Sequence, residues 1–185
     1  MMMTAWFGQA AADEGSAGSS ARALLILRIL AYDHNLQKRA GQRVTVLVLY
    51  RSQDVSSVRV RDEVLASLTQ VQRIKVAGLP ISVVAAPFGD GRALESRLAQ
   101  ARPSAVFVCP GLEGDVGIIS AVTRKSGVLS FSTSERDVRG GLSVGILRDE
   151  QKHRILINVP AARAEGSRFD AGLLQLATLI GGATP

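Results

Sequence analysis

The chain has 185 residues, of which 46% are apolar and 21% charged, a composition typical of a single globular core. Aromatic residues make up only 4%, so the core must be built mainly from Leu, Val, Ile and Ala. The net charge of +6 comes from scattered residues, 18 of the 22 cations being Arg. Because basic stripes with interleaved aromatic residues are missing, nucleic-acid binding is not expected. No window reaches the roughly 18 continuous apolar residues that a membrane span needs.

Residues 1–20 are predicted to lie outside the folded domain. Residues 1–12 end in small residues, as a signal-peptide cleavage site does, but they lack a basic start and a full apolar segment. Residues 13–20 are rich in Gly, Ser and acidic residues, which is typical of disorder. We therefore interpret residues 1–20 as a disordered leader or a signal-peptide remnant, and residues 21–182 as a single domain.

Helix and strand signals alternate through the following part of the chain. Apolar residues at helical spacing predict helices over residues 21–38, 54–68, 91–101 and 115–125. Nearly continuous apolar runs predict buried strands over residues 44–50, 81–86, 105–109 and 128–131. Strands joined by helices of this length form a parallel sheet that is covered on both faces.

The last third of the chain predicts a β-hairpin, because alternating apolar runs flank the polar tip at residues 149–152. Asn158 follows the second run, and its amide can pair with backbone groups where the strand becomes a short Ala-rich helix. A last amphipathic helix is predicted over residues 172–180. The expected fold class is therefore α/β, with three layers (α/β/α), a mixed, mostly parallel sheet, and a C-terminal β-hairpin followed by helices.

Glycine-rich motifs give weak signals for catalysis or nucleotide binding. Residues 141–145 match the G-x-S-x-G pattern of hydrolases around Ser143, but that chemistry needs Ser on a strand-to-helix turn, and this motif enters a hairpin strand. Residues 89–91 resemble the start of a dinucleotide fingerprint, whose third glycine position is Leu94 here. In the turn over residues 111–117, Glu113 and Asp115 would repel phosphate.

Metal and cofactor chemistry has little support in this sequence. The chain has two histidines and one cysteine, far apart in sequence, and lacks the known metal-binding spacings. No cofactor is therefore predicted. Cys109 lies in an apolar run on a predicted central strand, so we expect it to be buried and unreactive.

The C-terminal third carries a resemblance to a known family. Gly140 and Gly141, the hairpin, Asn158, the Ala-Ala-Arg segment ending at Arg163, and the last helix together resemble the YfiR-like family. The match is strongest from Gly140 onward and divergent before Tyr50. Through this resemblance, Gly140, Gly141, Asn158 and Arg163 are identified as structural motif residues.

The resemblance implies a non-enzymatic periplasmic regulatory protein that binds and restrains a membrane-bound signalling protein. The implied partner is the periplasmic domain of an inner-membrane diguanylate cyclase or sensor kinase, and homodimer formation stays open. One alternative is a periplasmic small-molecule sensor or binding protein. The other is a hydrolase that uses Ser143.

Partners of such sheets bind the loops beyond the carboxyl ends of the parallel strands. Phe88 and Leu112 lie in two of these loops, and each follows Pro or Gly. We predict that both project outward as apolar anchors for a partner. The alternative is that both side chains fold back onto the sheet edge.

Overall fold

The computed structural model describes residues 21–149 and 152–181, and the prediction for residues 1–20 lies outside them. Residues 21–31 are helical and are named α1. The other helices are α2 (Leu36–Ala40), α3 (Val55–Gln70), α4 (Gly91–Ala101), α5 (Val116–Ser126), α6 (Glu135–Arg139), α7 (Val159–Ala164) and α8 (Ala171–Leu176). The strands are β1 (Val44–Tyr50), β2 (Ile81–Pro87), β3 (Ala105–Val108), β4 (Leu129–Ser132), β5 (Val144–Asp149), β6 (Lys152–Asn158) and β7 (Thr178–Ile180).

The strands form one seven-stranded sheet in the order β2-β1-β3-β4-β5-β6-β7. The first five strands of the chain run parallel to one another. β6 pairs antiparallel with β5 and completes the expected hairpin, and β7 then pairs parallel with β6. The expected fold class, α/β with a mixed and mostly parallel sheet, is confirmed.

The central strands are buried on both faces, which explains their continuous apolar sequences. In β1, Val46 and Val48 face a core with α1 and α3, whereas Leu47 and Leu49 face a second core with α4 and α5. All four side chains are at most 1% exposed. Because successive side chains of a strand alternate between faces, one apolar run supplies both cores.

The first predicted helix, residues 21–38, is interrupted in the structure. Residues 21–31 are helical, and a turn precedes α2. The buried carboxylate of Asp33 accepts the backbone N–H of Asn35 at 3.0 Å and that of Arg168 at 2.9 Å, and it pairs with Arg39. These contacts tie the chain to a segment 135 residues away, so helical spacing alone could not reveal the break.

The last helix is shorter than the sequence predicts. Helix α8 ends at Leu176, and Thr178–Ile180 forms the edge strand β7, against the prediction of helix over residues 172–180. In β7, Thr178 lies opposite Leu156 and Leu179 opposite Ile157. The free edge of the hairpin offers backbone partners that outweigh a short helical pattern.

Asn158 joins β6 to α7 through both ends of its side-chain amide. Its Oδ1 accepts the backbone N–H of Ala161 at 3.1 Å and caps the helix. Its Nδ2 donates to the carbonyl oxygen of Val138 at 2.9 Å. The side chain therefore fixes the junction and ties it to α6.

A buried carboxylate links α5, β4, β5 and α7. Glu165 is fully buried, and its Oε1 accepts from Thr123 Oγ1 and, at 2.8 Å, from Ser130 Oγ. Its Oε2 accepts the backbone N–H of Ser130 at 2.8 Å and the hydroxyl of Ser143. Burial raises the pKa of the Glu165 carboxyl, and these donors only partly oppose that effect.

Replacing Asn158 tests its role at the junction. Asn158→Leu leaves the Ala161 N–H and the Val138 carbonyl without their partner, at a cost of about 1–3 kcal/mol of unfolding free energy. Asn158→Asp keeps the helix cap and loses only the donor, so we expect a smaller loss. Urea denaturation measures both, and an unchanged midpoint for Asn158→Leu contradicts the assignment.

Cys109 is expected to resist thiol reagents in the folded protein. The residue is 1% exposed, and burial raises the pKa of its thiol to about 12. Because the thiolate is the reactive form, labelling near pH 8 is expected to be very slow. Rapid colour release from a chromogenic disulfide reagent in native buffer contradicts this prediction, and full reaction in denaturant is the control.

The raised pKa of Glu165 predicts a specific pH dependence of stability. The folded state holds this proton more tightly than the unfolded chain, so stability falls as pH rises from the ordinary glutamate value of 4.5 through the raised pKa. Glu165→Gln imitates the protonated form and lacks that component. We therefore expect urea midpoints of the parent to fall relative to those of Glu165→Gln as the pH rises above the ordinary glutamate value of 4.5, and parallel curves contradict the prediction.

Candidate functional site

The candidate functional site is the rim, defined as the loops that follow β1, β2, β3 and β4 at the carboxyl edge of the sheet. The chain passes from β1 to β2 on one side and continues with β3 on the other side of β1. The sheet therefore has its topological switch point between β1 and β3. In open α/β sheets, ligands and partners bind most often beyond the strand ends at such a point.

Arg51 ties the two loops at the switch point together. Its Nε donates to the carbonyl oxygen of Gly111 at 2.6 Å, and its guanidinium pairs with Asp115. Its backbone N–H donates to Ser57 Oγ at 2.9 Å, next to the start of α3. These contacts hold the loops after β1 and β3 in a fixed arrangement.

Gly111 is required by this arrangement. Its φ is +83°, in the region that favours glycine, and a Cβ there would lie 2.8 Å from Asp54 Oδ2. Asp54 cannot easily withdraw, because its Oδ1 accepts the Ser57 N–H at 2.7 Å and caps α3. Glu113 Oε1 accepts the Gly111 N–H at 2.9 Å. The polar groups of the two loops at the switch point are thus largely hydrogen-bonded or ion-paired to one another.

The two predicted apolar anchors, Phe88 and Leu112, differ in their exposure to solvent. Leu112 is only 1% exposed and packs in the core with α4 and α5, so the expectation that it projects outward is wrong. The N–H of Asp115 donates to the Leu112 carbonyl at 2.9 Å, and this turn directs the side chain inward. Phe88 is half-buried against the same core, and its role as an anchor stays a prediction.

Two exposed apolar residues that the sequence did not single out lie in the first turns of α3 and α5, directly after loops of the rim. Val55, the first residue of α3, is 85% exposed beside the Asp54 cap. Ile118, in the first turn of α5, is 48% exposed and lies against Gly91 at the start of α4. Val55 lies outside the apolar stripe of its helix, which is the one sequence signal that it faces water.

The other motif residues lie around α6 and α7. A Cβ at Gly140 would lie 3.0 Å from Val116 Cγ1, and Gly141 has φ +123° with a hypothetical Cβ 2.9 Å from Arg124 Nη2. Arg163 is exposed, and its side chain forms no hydrogen bond or ion pair within the described ranges. Its structural role remains a prediction.

The geometry around Ser143 does not suit a hydrolase. Ser143 is fully buried, and its hydroxyl donates to Glu165 instead of to a histidine base. His34 contacts Asp170 at 3.5 Å on the surface. The serine nucleophile of this motif needs a histidine base and an open approach for the substrate, and among the described residues neither is found at Ser143.

The described residues hold neither a metal-binding cluster nor a membrane-spanning helix. Between residues 21 and 181, apart from 150 and 151, no group of three or more His, Cys, Asp or Glu side chains is placed to hold a metal ion. Nor does any helix in these ranges have the length and apolar character needed to cross a membrane.

A cleft of about 580 Å³ lies at the opposite, amino-terminal edge of the sheet, between the ends of α4 and α5. Its charged lining residues are Arg39, Glu95, Arg102 and Lys125. Lys125 Nζ lies 2.5 Å from Glu95 Oε1, and Arg39 pairs with buried Asp33. Arg102 forms no ion pair in the part of the chain that is described. The cleft has room for a small ligand with one anionic group.

Solved structures similar to this chain share its fold. The ABC domain from Streptococcus pneumonia, in complex with L-Trp, aligns with a TM-score of 0.56 and 15% identity over 82% of this chain and 62% of that one. A ligand-free, open substrate-binding protein with adhesive properties from Clostridium difficile gives 0.59 and 11% over 79% and 57%. A conserved domain protein from Vibrio cholerae gives 0.63 and 14% over 87% and 59%. This chain therefore spans less than two thirds of each of those proteins.

Sequence comparison gives the family. No protein of curated function matches the chain significantly. The model of the DUF4154 family, described as YfiR/HmsC-like, matches residues 19–178 and so covers the sheet, the hairpin and the C-terminal helices. The chain belongs to the YfiR/HmsC-like family.

Proposed function

We propose that this protein is a non-enzymatic periplasmic regulator that binds and restrains a membrane-bound signalling protein, such as a diguanylate cyclase or a sensor kinase. The observation that carries the proposal is the family match across residues 19–178. The buried Ser143, which is bonded to a carboxylate, also favours binding over catalysis.

The rim is the surface that we assign to the partner. Val55 and Ile118 expose apolar side chains in the first turns of the helices that follow the rim loops, and half-buried Phe88 lies in the loop between β2 and α4. Covering an exposed apolar side chain with a partner lowers the free energy of the complex, and such residues often dominate interfaces. The Arg51 contacts with Gly111 and Asp115 keep the neighbouring loops in place, which limits the entropy lost on binding.

A small-molecule sensor is the second candidate, and the cleft of about 580 Å³ at the amino-terminal edge favours it. Ligand pockets commonly fall in the range of about 300–1,000 Å³. The strand-end loops are the usual ligand site of such sheets, whereas the cleft lies at the opposite edge of the sheet. A regulator and a sensor are compatible, because a ligand in the cleft and a partner on the rim would occupy different surfaces.

Substitution of Val55 tests the partner surface. A pull-down from native membranes first identifies the transmembrane protein that binds the parent chain. The affinity of its purified periplasmic domain is then measured by calorimetry for the parent, Val55→Asp and Phe88→Ala. We expect about tenfold weaker binding for Val55→Asp with an unchanged melting temperature, because an aspartate must be desolvated in an apolar contact.

Leu176→Asp is the matched control, since Leu176 is an apolar residue that is 77% exposed in α8, away from the rim. We expect it to bind like the parent. Equal affinity of Val55→Asp and the parent excludes the rim as the interface. Failure of the pull-down to recover any transmembrane cyclase or kinase contradicts the regulatory proposal itself.

A further inference from the structure

Strand β2 forms one lateral edge of the sheet. It pairs with β1 on one side, and no other strand within residues 21–149 and 152–181 pairs with its other side, which is named the free edge. The strand has seven residues, none of them charged. The opposite edge strand, β7, has only three residues. Because proteins commonly protect edge strands by short length, charged side chains or proline, β7 is protected, whereas β2 has only the proline at its last position.

The backbone of β2 presents unpaired hydrogen-bonding groups at the free edge. The Val44 N–H donates to the Pro80 carbonyl at 2.9 Å, and the Phe88 N–H donates to the Tyr50 carbonyl at 2.7 Å. In a parallel pair every second residue bonds to the same neighbouring strand, so the even-numbered residues of β2 bond to β1. The odd-numbered residues therefore direct their backbone groups toward the free edge. These residues are Ile81, Val83, Ala85 and Pro87.

The middle of β2 is also exposed on both faces of the sheet. Ile81 packs in the core with α1 and α3, and Ala86 packs in the core with α4 and α5. Since side chains alternate along a strand, Ala85 lies on the face of Ile81, and Val84 lies on the face of Ala86. Val84 is 38% exposed, and Ala85 is exposed as well. Apolar side chains beside unpaired backbone groups favour coverage of this edge by another extended strand.

We propose that β2 is a homodimer interface, at which β2 of one chain pairs antiparallel with β2 of a second copy. A second copy suits this edge because an uncharged strand can pair with itself without placing like charges opposite each other. The pairing is also closed, since each chain has one such edge and two chains use both. This interface is distinct from the rim and from the cleft, and it does not depend on the regulatory proposal.

Hydrogen bonding selects one register for this pairing. With Val83 opposite Val83 of the second copy, Ile81 lies opposite Ala85, and each outward N–H of these residues meets an outward carbonyl group. A shift toward the carboxyl end of the strand brings in Pro87, which has no N–H. A shift toward the amino end brings in Leu79, whose N–H already donates within a turn. The register centred on Val83 therefore forms the most hydrogen bonds.

Sedimentation equilibrium of the full chain over a range of concentrations tests the dimer. We expect the parent to dimerise reversibly and Val84→Lys to dimerise about tenfold more weakly, because the two introduced ammonium groups lie diagonally across the strand pair and repel each other. The matched control is Leu179→Lys, since Leu179 is 41% exposed on the opposite edge strand β7. We expect this variant to dimerise like the parent.

Two results of this experiment overturn the proposal. One is a parent chain that stays monomeric at every concentration. The other is an equal effect of Val84→Lys and Leu179→Lys, because an unchanged dimer in both places the interface elsewhere, and an equal loss in both means that only net charge matters.

Cysteine substitutions test the register. Opposing Cα atoms of a hydrogen-bonded antiparallel pair lie about 5.5 Å apart, which suits a disulfide, so Val83→Cys is expected to form a covalent dimer under mild oxidation. Val84→Cys is the control, because its two copies lie diagonally, about 7–8 Å apart, and should cross-link far less. The native Cys109 is buried and does not compete. Equal cross-linking of the two variants, or none in either, overturns the proposed pairing.

Discussion

The structure depends on burial of the central strands on both faces. β1 has no polar face, since Val46 and Val48 belong to one core and Leu47 and Leu49 to the other. Such a strand is stable only when helices cover both sides of the sheet. This requirement places α1 and α3 on one face and α4 and α5 on the other. It also leaves the carboxyl edge of the parallel strands as a natural place for loops that carry function.

Buried polar groups fix the relative positions of the elements, which apolar packing alone specifies less strictly. Glu165 accepts from Ser130 and Ser143, and so fixes α7 against the end of the parallel sheet, where the antiparallel hairpin begins. Asp33 plays a similar part by joining the turn after α1 to the segment before α8. Each carboxylate is fully served by donors, which is the condition under which burial of such a group is tolerated. The Asp33 contacts join the N-terminal part of the chain to its C-terminal part, whereas the Glu165 contacts lie within the C-terminal half.

At the candidate site, the same local sequence pattern does not predict the same side-chain exposure. Phe88 and Leu112 have the same local signature, an apolar residue after Pro or Gly in a strand-end loop. The structure leaves Phe88 half-buried and buries Leu112, because the turn through Asp115 directs the second side chain into the core. Val55 is far more exposed than either. In the sequence, only its position outside the apolar stripe of α3 indicates this exposure. Which of these residues meets water is decided by neighbours that are remote in sequence.

The sequence by itself determined the alternation of strands and helices, the parallel sheet and the hairpin around residues 149–152, because these follow from local periodicity and connection length. It also pointed to Asn158, whose amide both caps α7 and reaches Val138. Only the tertiary structure decided the break after residue 31, the strand β7, and the partnership of Ser143 with Glu165. Each of these depends on groups brought together from distant parts of the chain, and the free energy of such long-range contacts leaves no periodic trace in the sequence.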